Sequence, residues 1–170
     1  MGGQHKKIWF EIPFLGVTLK KKELVIPKYS LPYSNWKKHN QIDDGDFIAG
    51  IRNPLDRVIL HYEQQSKNRR AIVQYPISFT EWCTRCFNTS QSDRFMRNNP
   101  KEFLSQKQWL EGSNDDIGLI EINTSENNSS LIKAIQQIDR SYYYTEETVK
   151  LVLNWYAEDF ELFNFETNWK

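Results

Sequence analysis

The stretch that most constrains this chain runs from Asp46 to Tyr62: Asp-Phe-Ile-Ala-Gly-Ile-Arg-Asn-Pro-Leu-Asp-Arg-Val-Ile-Leu-His-Tyr. Phe47 to Ile51 is an uninterrupted apolar run of strand length, which is what a parallel strand covered on both faces requires. Asn53 is a good helix N-cap, Pro54 stands where proline is favoured at the first helical position, and Asp56 falls at the capping-box position. Leu55, Val58, Ile59 and Tyr62 then recur at helical spacing. A strand, a tight polar corner and an amphipathic helix therefore follow one another, with Arg52 at the carboxyl end of the strand. In open α/β sheets anionic ligands bind there, because free backbone amides and the helix dipole favour negative charge. The same corner also serves as a plain connection carrying a surface arginine, and this stretch alone leaves both readings open.

The rest of the chain is read around that unit. Ile8 to Ile12 predicts a first strand ended by Pro13, and residues 13–19 a turn. Residues 27–46 read as loop, because Pro27, Ser30, Pro32, Ser34, Asn35 and Asn40 interrupt any period. Ser78-Phe79-Thr80-Glu81 is a capping box and predicts a helix from Phe79 to Phe87. A short helix over Ser92 to Asn98 is expected to stop at Asn99-Pro100, and another over Lys101 to Leu110 to close near Gly112. Ile117 to Ile122 is the third strand candidate. Thr124 or Ser125 is placed to cap a helix carrying Leu131, Ile132, Ile135 and Ile138, and Thr145 opens a last helix with Val149, Val152, Leu153, Tyr156 and Phe160 as its buried stripe. Strand–helix alternation with little sign of hairpins predicts the α/β class, with a mostly parallel central sheet flanked by helices.

A chain of 170 residues is expected to be a single domain, residues 1–170, long enough for a real core. Six tryptophans, eight tyrosines and ten phenylalanines argue against disorder. A formal net charge of zero argues against a dedicated nucleic-acid binder. The charge is unevenly spread, with Lys6, Lys7, Lys20, Lys21, Lys22, Lys28, Lys37 and Lys38 crowding the first part, which suits an anionic ligand or a solvated surface. No apolar run reaches membrane-span length and the start lacks the apolar core of a signal peptide, so no membrane partner is expected. Two cysteines make no disulfide framework, which points to a reducing, cytoplasmic setting. Cys83 and Cys86, three apart on a predicted helix, read as packing residues; a zinc site lacks the further ligands it needs, and a redox pair stands as the lesser alternative.

Taken together, these pieces resemble the sulfotransferases that use 3′-phosphoadenosine 5′-phosphosulfate (PAPS), especially the carbohydrate-type branch. In that family a first strand ends in a loop of the type I-P-K-x-G-G-T-S/T-L; here Ile12-Pro13-Phe14-Leu15-Gly16-Val17-Thr18-Leu19 stands in its place. The family's second motif is R-[DN]-P-x-x-R-x-x-S-x-Y, which residues 52–62 follow apart from the serine. A weaker likeness covers Gly118 to Asn123 and Tyr156 to Phe163. The resemblance implies a P-loop-like sulfotransferase fold, PAPS or its product PAP as cofactor, and sulfuryl transfer to a hydroxyl acceptor of the carbohydrate class. It implies that Arg52 binds the 3′-phosphate and that Gly16, Val17 and Thr18 surround the 5′ end.

Three motif positions depart from the family. Phe14 replaces the lysine that would neutralise the phosphosulfate, Val17 replaces a glycine, and Leu60 replaces the serine that would donate to the 3′-phosphate. Lys20, in the Lys20-Lys21-Lys22 run, is the candidate to restore the missing charge. Sulfuryl transfer also needs a base for the acceptor hydroxyl. His39 is the first candidate, with Glu121 second and His61 placed on the helix; a non-catalytic loop histidine remains the alternative for His39. Trp36 reads either as a platform for a sugar ring or as a packing anchor. Two functions thus stand side by side: a PAPS-dependent sulfotransferase, and a non-catalytic relative that keeps the fold as a binding or interaction module. A nucleotide phosphotransferase is disfavoured, because no G-x-x-x-x-G-K-[ST] occurs.

Overall fold

Phe47–Ile51 is a strand buried at every position, flanked by a hydrogen-bonded strand on each side. The computed structural model describes residues 6–67, 77–88, 99–122, 132–134 and 138–170. In chain order its elements are β1 (Lys7–Phe10), β2 (Val17–Leu19), β3 (Leu24–Val25), α1 (Tyr33–His39), β4 (Phe47–Ile51), α2 (Pro54–Lys67), α3 (Phe79–Phe87), a 3-10 turn (Pro100–Phe103), α4 (Gln106–Trp109), β5 (Ile117–Glu121), β6 (Ile132–Ala134), α5 (Arg140–Tyr143), α6 (Glu146–Trp155) and α7 (Ala157–Phe163). They fall into two compact units: residues 1–52 with 106–137, and residues 53–105 with 138–170. The chain passes between the units at 52–53, 105–106 and 137–138, so no composition-biased linker marks the division.

The first unit holds a four-stranded sheet in the order β3-β1-β4-β5, in which every described pairing is parallel. Ile8 pairs with Phe47 and Phe10 with Ala49; Phe47 pairs with Ile117 and Ile51 with Glu121. The expected α/β class with a parallel sheet is what the chain forms. Trp9 and Phe10, successive residues of β1, are both buried, as expected for a strand covered on both faces. Phe10 meets Trp36 edge-on at 4.9 Å and Trp109 at 6.5 Å between ring centroids, which ties α1 and α4 to the strands. Trp36, 1% exposed, is thereby a packing anchor and not a platform open to a sugar.

Several expectations are corrected here. The stretch read as loop over 27–46 contains α1, which has no side-chain N-cap and is fixed by burying Tyr33 and Trp36. The last three residues of the expected turn over 13–19 are β2, paired antiparallel with β6, so that Val17 pairs with Ala134 and Leu19 with Ile132. Ile132 accordingly lies in a strand and not on the expected helix, whose other residues Leu131 and Ile135 lie outside the described residues. The expected helix over Ser92 to Asn98 also lies outside them. The single helix expected over Lys101 to Leu110 is two short pieces, separated at Leu104, whose backbone is extended.

The second unit is helical. Leu55, Val58 and Ile59 of α2 pack with Phe79, Trp82, Cys83, Cys86 and Phe87 of α3 and with Val149 and Val152 of α6. Asn53 caps α2 as expected, its Oδ1 accepting from the Leu55 N–H at 3.0 Å. Asp56 does not close a capping box; Arg140 grips its carboxylate in a fork, Nε to Oδ1 at 2.7 Å and Nη2 to Oδ2 at 3.1 Å. Ser78 caps α3 through the Glu81 N–H at 3.1 Å. The last helix is interrupted at Tyr156, so Phe160 belongs to α7 and not to the stripe of α6. Both cysteines are buried free thiols, and burial pushes the Cys83 thiol well up, which suits packing and not redox chemistry.

Candidate functional site

The strand order sets a topological switch point at one defined place. The chain leaves the carboxyl end of β1 toward β3 on one side, and leaves β4 toward β5 on the other. Connections that depart in opposite directions from neighbouring parallel strands leave a gap above their carboxyl ends, where ligands of open α/β sheets bind. The two segments that emerge there are residues 11–16 after β1 and Arg52 after β4.

The loop after β1 is tightly coiled. Phe14 has φ 65° and Gly16 φ 60°, so two residues of three lie in the left-handed region. Glycine adopts it freely, but for a bulky side chain it costs on the order of 1–2 kcal/mol. The loop is over-determined by what lies around it. Pro13 precedes Phe14, Leu15 is 4% exposed, and Arg52 Nη1 donates to the Leu15 carbonyl at 2.6 Å. Leu15 also rests on the sheet above Gly50, where a Cβ would come within 2.9 Å of Leu15 Cδ1 and 3.2 Å of Ile122 Cδ1. Gly50 is therefore the small residue that lets the loop lie close to the strand.

Arg52 is itself locked. Its side chain and backbone are 1% exposed, its N–H donates to Gln106 Oε1 at 2.7 Å, and its carbonyl accepts from Gln106 Nε2 at 2.8 Å. One glutamine side chain thus closes both backbone groups of Arg52, as a neighbouring strand would, and Gln106 is 0% exposed. The fully buried guanidinium points at the loop carbonyl. Sequence reasoning missed Gln106, which sits in a polar Ser-Gln-Lys-Gln run with no signal of burial. It also missed Glu11 at the head of the loop, whose carboxyl is raised by desolvation, an effect that the Trp9 side-chain hydrogen bond partly offsets.

The other candidates are distributed as follows. Gly16, half-buried, ends the loop, and Val17 and Thr18 follow on β2, where their backbone engages β6. Thr18 is exposed. Lys20 lies at the opposite end of the sheet: it precedes β3, whose first residue Leu24 pairs with Lys7 at the start of β1, and its Nζ stands 3.8 Å from Glu23. His39 ends α1, exposed, with Nδ1 3.0 Å from the Asn35 carbonyl. Its helix turn lies over the amino end of β4, since Trp36 and Lys37 both pack on the Phe47 ring. The structure therefore brings Gly16, Val17 and Arg52 to one edge of the sheet, and leaves Lys20 and His39 at the other. Glu121 ends β5, exposed, and Leu60 is half-buried on α2. Among the described residues no cluster of three His, Cys, Asp or Glu side chains is arranged to hold a metal ion, and no helix is long and apolar enough to cross a membrane.

The comparisons add no relative. The chain matches no protein-family model, and no curated protein or solved structure is significantly similar to it.

Proposed function

We propose that this chain is a sulfotransferase-type protein that binds PAPS or PAP at the carboxyl edge of its parallel sheet and transfers the sulfuryl group to a hydroxyl acceptor, with carbohydrate as the acceptor class. The observation that carries the reading is the loop of residues 12–16. It lies at the switch point between β1 and β4, it is coiled through left-handed Phe14 and Gly16, and the Arg52 guanidinium holds it from below. A strained, clamped loop at a switch point is the arrangement expected of an anion cradle, because strain persists where the surroundings over-determine it and a site uses it. In this reading the amides around Gly16 and Val17 face the 5′ end of the nucleotide. Arg52 acts as a positioning residue that fixes Leu15, in place of the direct 3′-phosphate contact that the motif implies. Its fixed positive charge in a water-poor setting still favours an anion above the loop.

A specific observation favours the second reading, a non-catalytic module of the same type. Phe14 stands at the motif position where the resembled family has its lysine, and the lysine run Lys20 to Lys22 belongs to the far end of the sheet. Incubation with sulfur-labelled PAPS and a panel of hydroxylated saccharides separates the two. Transfer of label to a saccharide supports the enzyme. PAP binding without transfer selects the module. Absence of any nucleotide binding contradicts the enzyme and leaves the fold as an interaction module.

A further inference from the structure

Residues 25–29 of the first unit present apolar and basic side chains to solvent in one short segment that the proposed reaction does not use. Val25 is 44% exposed, Ile26 37% and Tyr29 47%, three of the six large apolar side chains that stand exposed among the described residues. Lys28 is exposed as well, and its Nζ lies 5.3 Å from the centre of the Tyr29 ring, within the range of cation–π attraction. One exposed tyrosine is ordinary in a folded protein. The way this one is held is not.

Asn40, which follows α1, grips both backbone groups of Tyr29. Its Oδ1 accepts from the Tyr29 N–H at 2.9 Å, and its Nδ2 donates to the Tyr29 carbonyl at 3.0 Å and to the Trp36 carbonyl at 2.9 Å. Trp36 is a buried anchor of α1, so the clamp is fastened to the core. Next in the chain, the Ser30 hydroxyl donates to the Glu11 carbonyl at 3.5 Å, and Pro27 fixes φ two residues before Tyr29. The backbone that carries the ring is set before any ligand arrives, and a tyrosine gives up little side-chain freedom on binding.

The same clamp decides what the segment can bind. A peptide strand docks through main-chain hydrogen bonds, yet Asn40 already takes both backbone groups of Tyr29 and Pro27 has no N–H. What remains for a ligand is a ring, aliphatic surface and an ammonium. The apolar C–H face of a pyranose packs on such a ring, and a carboxylate or sulfate on the sugar meets the ammonium. Residues 20–29 carry four lysines against one glutamate, which favours an anionic saccharide over a neutral one. A formal net charge of zero disfavours nucleic acid.

We propose that Tyr29 and Lys28 form a binding site for an acidic saccharide, the ring stacking on a sugar and the ammonium taking its carboxylate or sulfate. The site stands whether or not the chain binds PAP.

Calorimetric and NMR titration of the full chain with oligosaccharides of hyaluronan and of chondroitin sulfate, in the absence of nucleotide, tests the site. Saturable binding of at least one is expected, with the Tyr29 and Lys28 resonances shifting and neutral dextran of the same length binding more weakly. Tyr29→Ala is expected to weaken binding about tenfold, as for a central aromatic contact, whereas Tyr29→Phe stays within about twofold of the wild type. Lys28→Gln is expected to cost about threefold and to flatten the salt dependence. Both positions are exposed, so these variants are expected to keep the fold. No binding at millimolar oligosaccharide, an affinity that Tyr29→Ala leaves unchanged, or equal binding of polyglutamate or of a single-stranded oligonucleotide would each overturn the proposal. Because these titrations contain no nucleotide, their failure is told apart from a failure of PAP to bind.

Discussion

Arg52, Gln106 and Phe14 carry the account at the scale of single residues. Gln106 bonds both backbone groups of a residue that is itself buried, so Gln106→Leu removes one hydrogen bond from a buried N–H and one from a buried carbonyl. Each such loss costs about 1–3 kcal/mol, so urea denaturation is expected to show a loss of about 2 kcal/mol or more. A loss within 0.5 kcal/mol, the range of about ±0.5 kcal/mol typical of surface substitutions, would contradict the clamp. Arg52 was legible as a candidate position because it follows a five-residue apolar strand and precedes an N-cap. What that pattern did not reveal is the direction of its side chain. The guanidinium turns inward to Leu15, a tertiary choice set by the loop and by Gly50, and local sequence carries no record of it.

Among the elements, α3 was legible end to end because its cap and its apolar period coincide within nine residues. Its Ser78 hydroxyl answers the Glu81 N–H, so Ser78→Ala is expected to lower stability by about 1 kcal/mol in thermal or chemical unfolding. An unchanged midpoint would show that the cap contributes nothing. α1 and β2 were illegible for the opposite reason. α1 lacks a side-chain cap at Pro32; the burial of Trp36 and the Asn40 Nδ2 bond to the Trp36 carbonyl hold it in place. β2 has three residues and exists through β6, more than a hundred residues along the chain, so no local pattern announces it. Lys20 was a candidate because its lysine run follows the loop in sequence, and His39 because the resembled family can place a base in the segment leading to the central strand. Strand direction separates both from the loop, since α1 and the turn before β3 both return to the amino end of the sheet.

At the scale of the whole molecule, the buried charges set the response to acid. His61 has a lowered pKa in the folded state, so its contribution to stability is complete above about pH 6.5 and is lost as the pH falls below that value. Glu102 is also lowered, and its contribution goes at more acid pH, below the ordinary carboxylate range. Glu11 is raised and works in the opposite sense, but it is exposed, and solvent weakens its effect. The net expectation is a falling unfolding midpoint from pH 7 to pH 4, measured by urea titration at fixed ionic strength. A midpoint that rises over that interval would contradict the lowering of the His61 pKa by burial.

The central claim, an anion cradle at the carboxyl edge of the sheet, is tested most directly by calorimetric titration of PAP into the wild type and into Phe14→Lys. The account predicts saturable binding to the wild type. It also predicts binding about tenfold or more tighter in Phe14→Lys, because a charge-assisted hydrogen bond contributes about 1.5–3 kcal/mol where the loop already presents the position. No heat from either protein at millimolar PAP would contradict it, and would leave the clamped loop as a purely structural feature of the sheet.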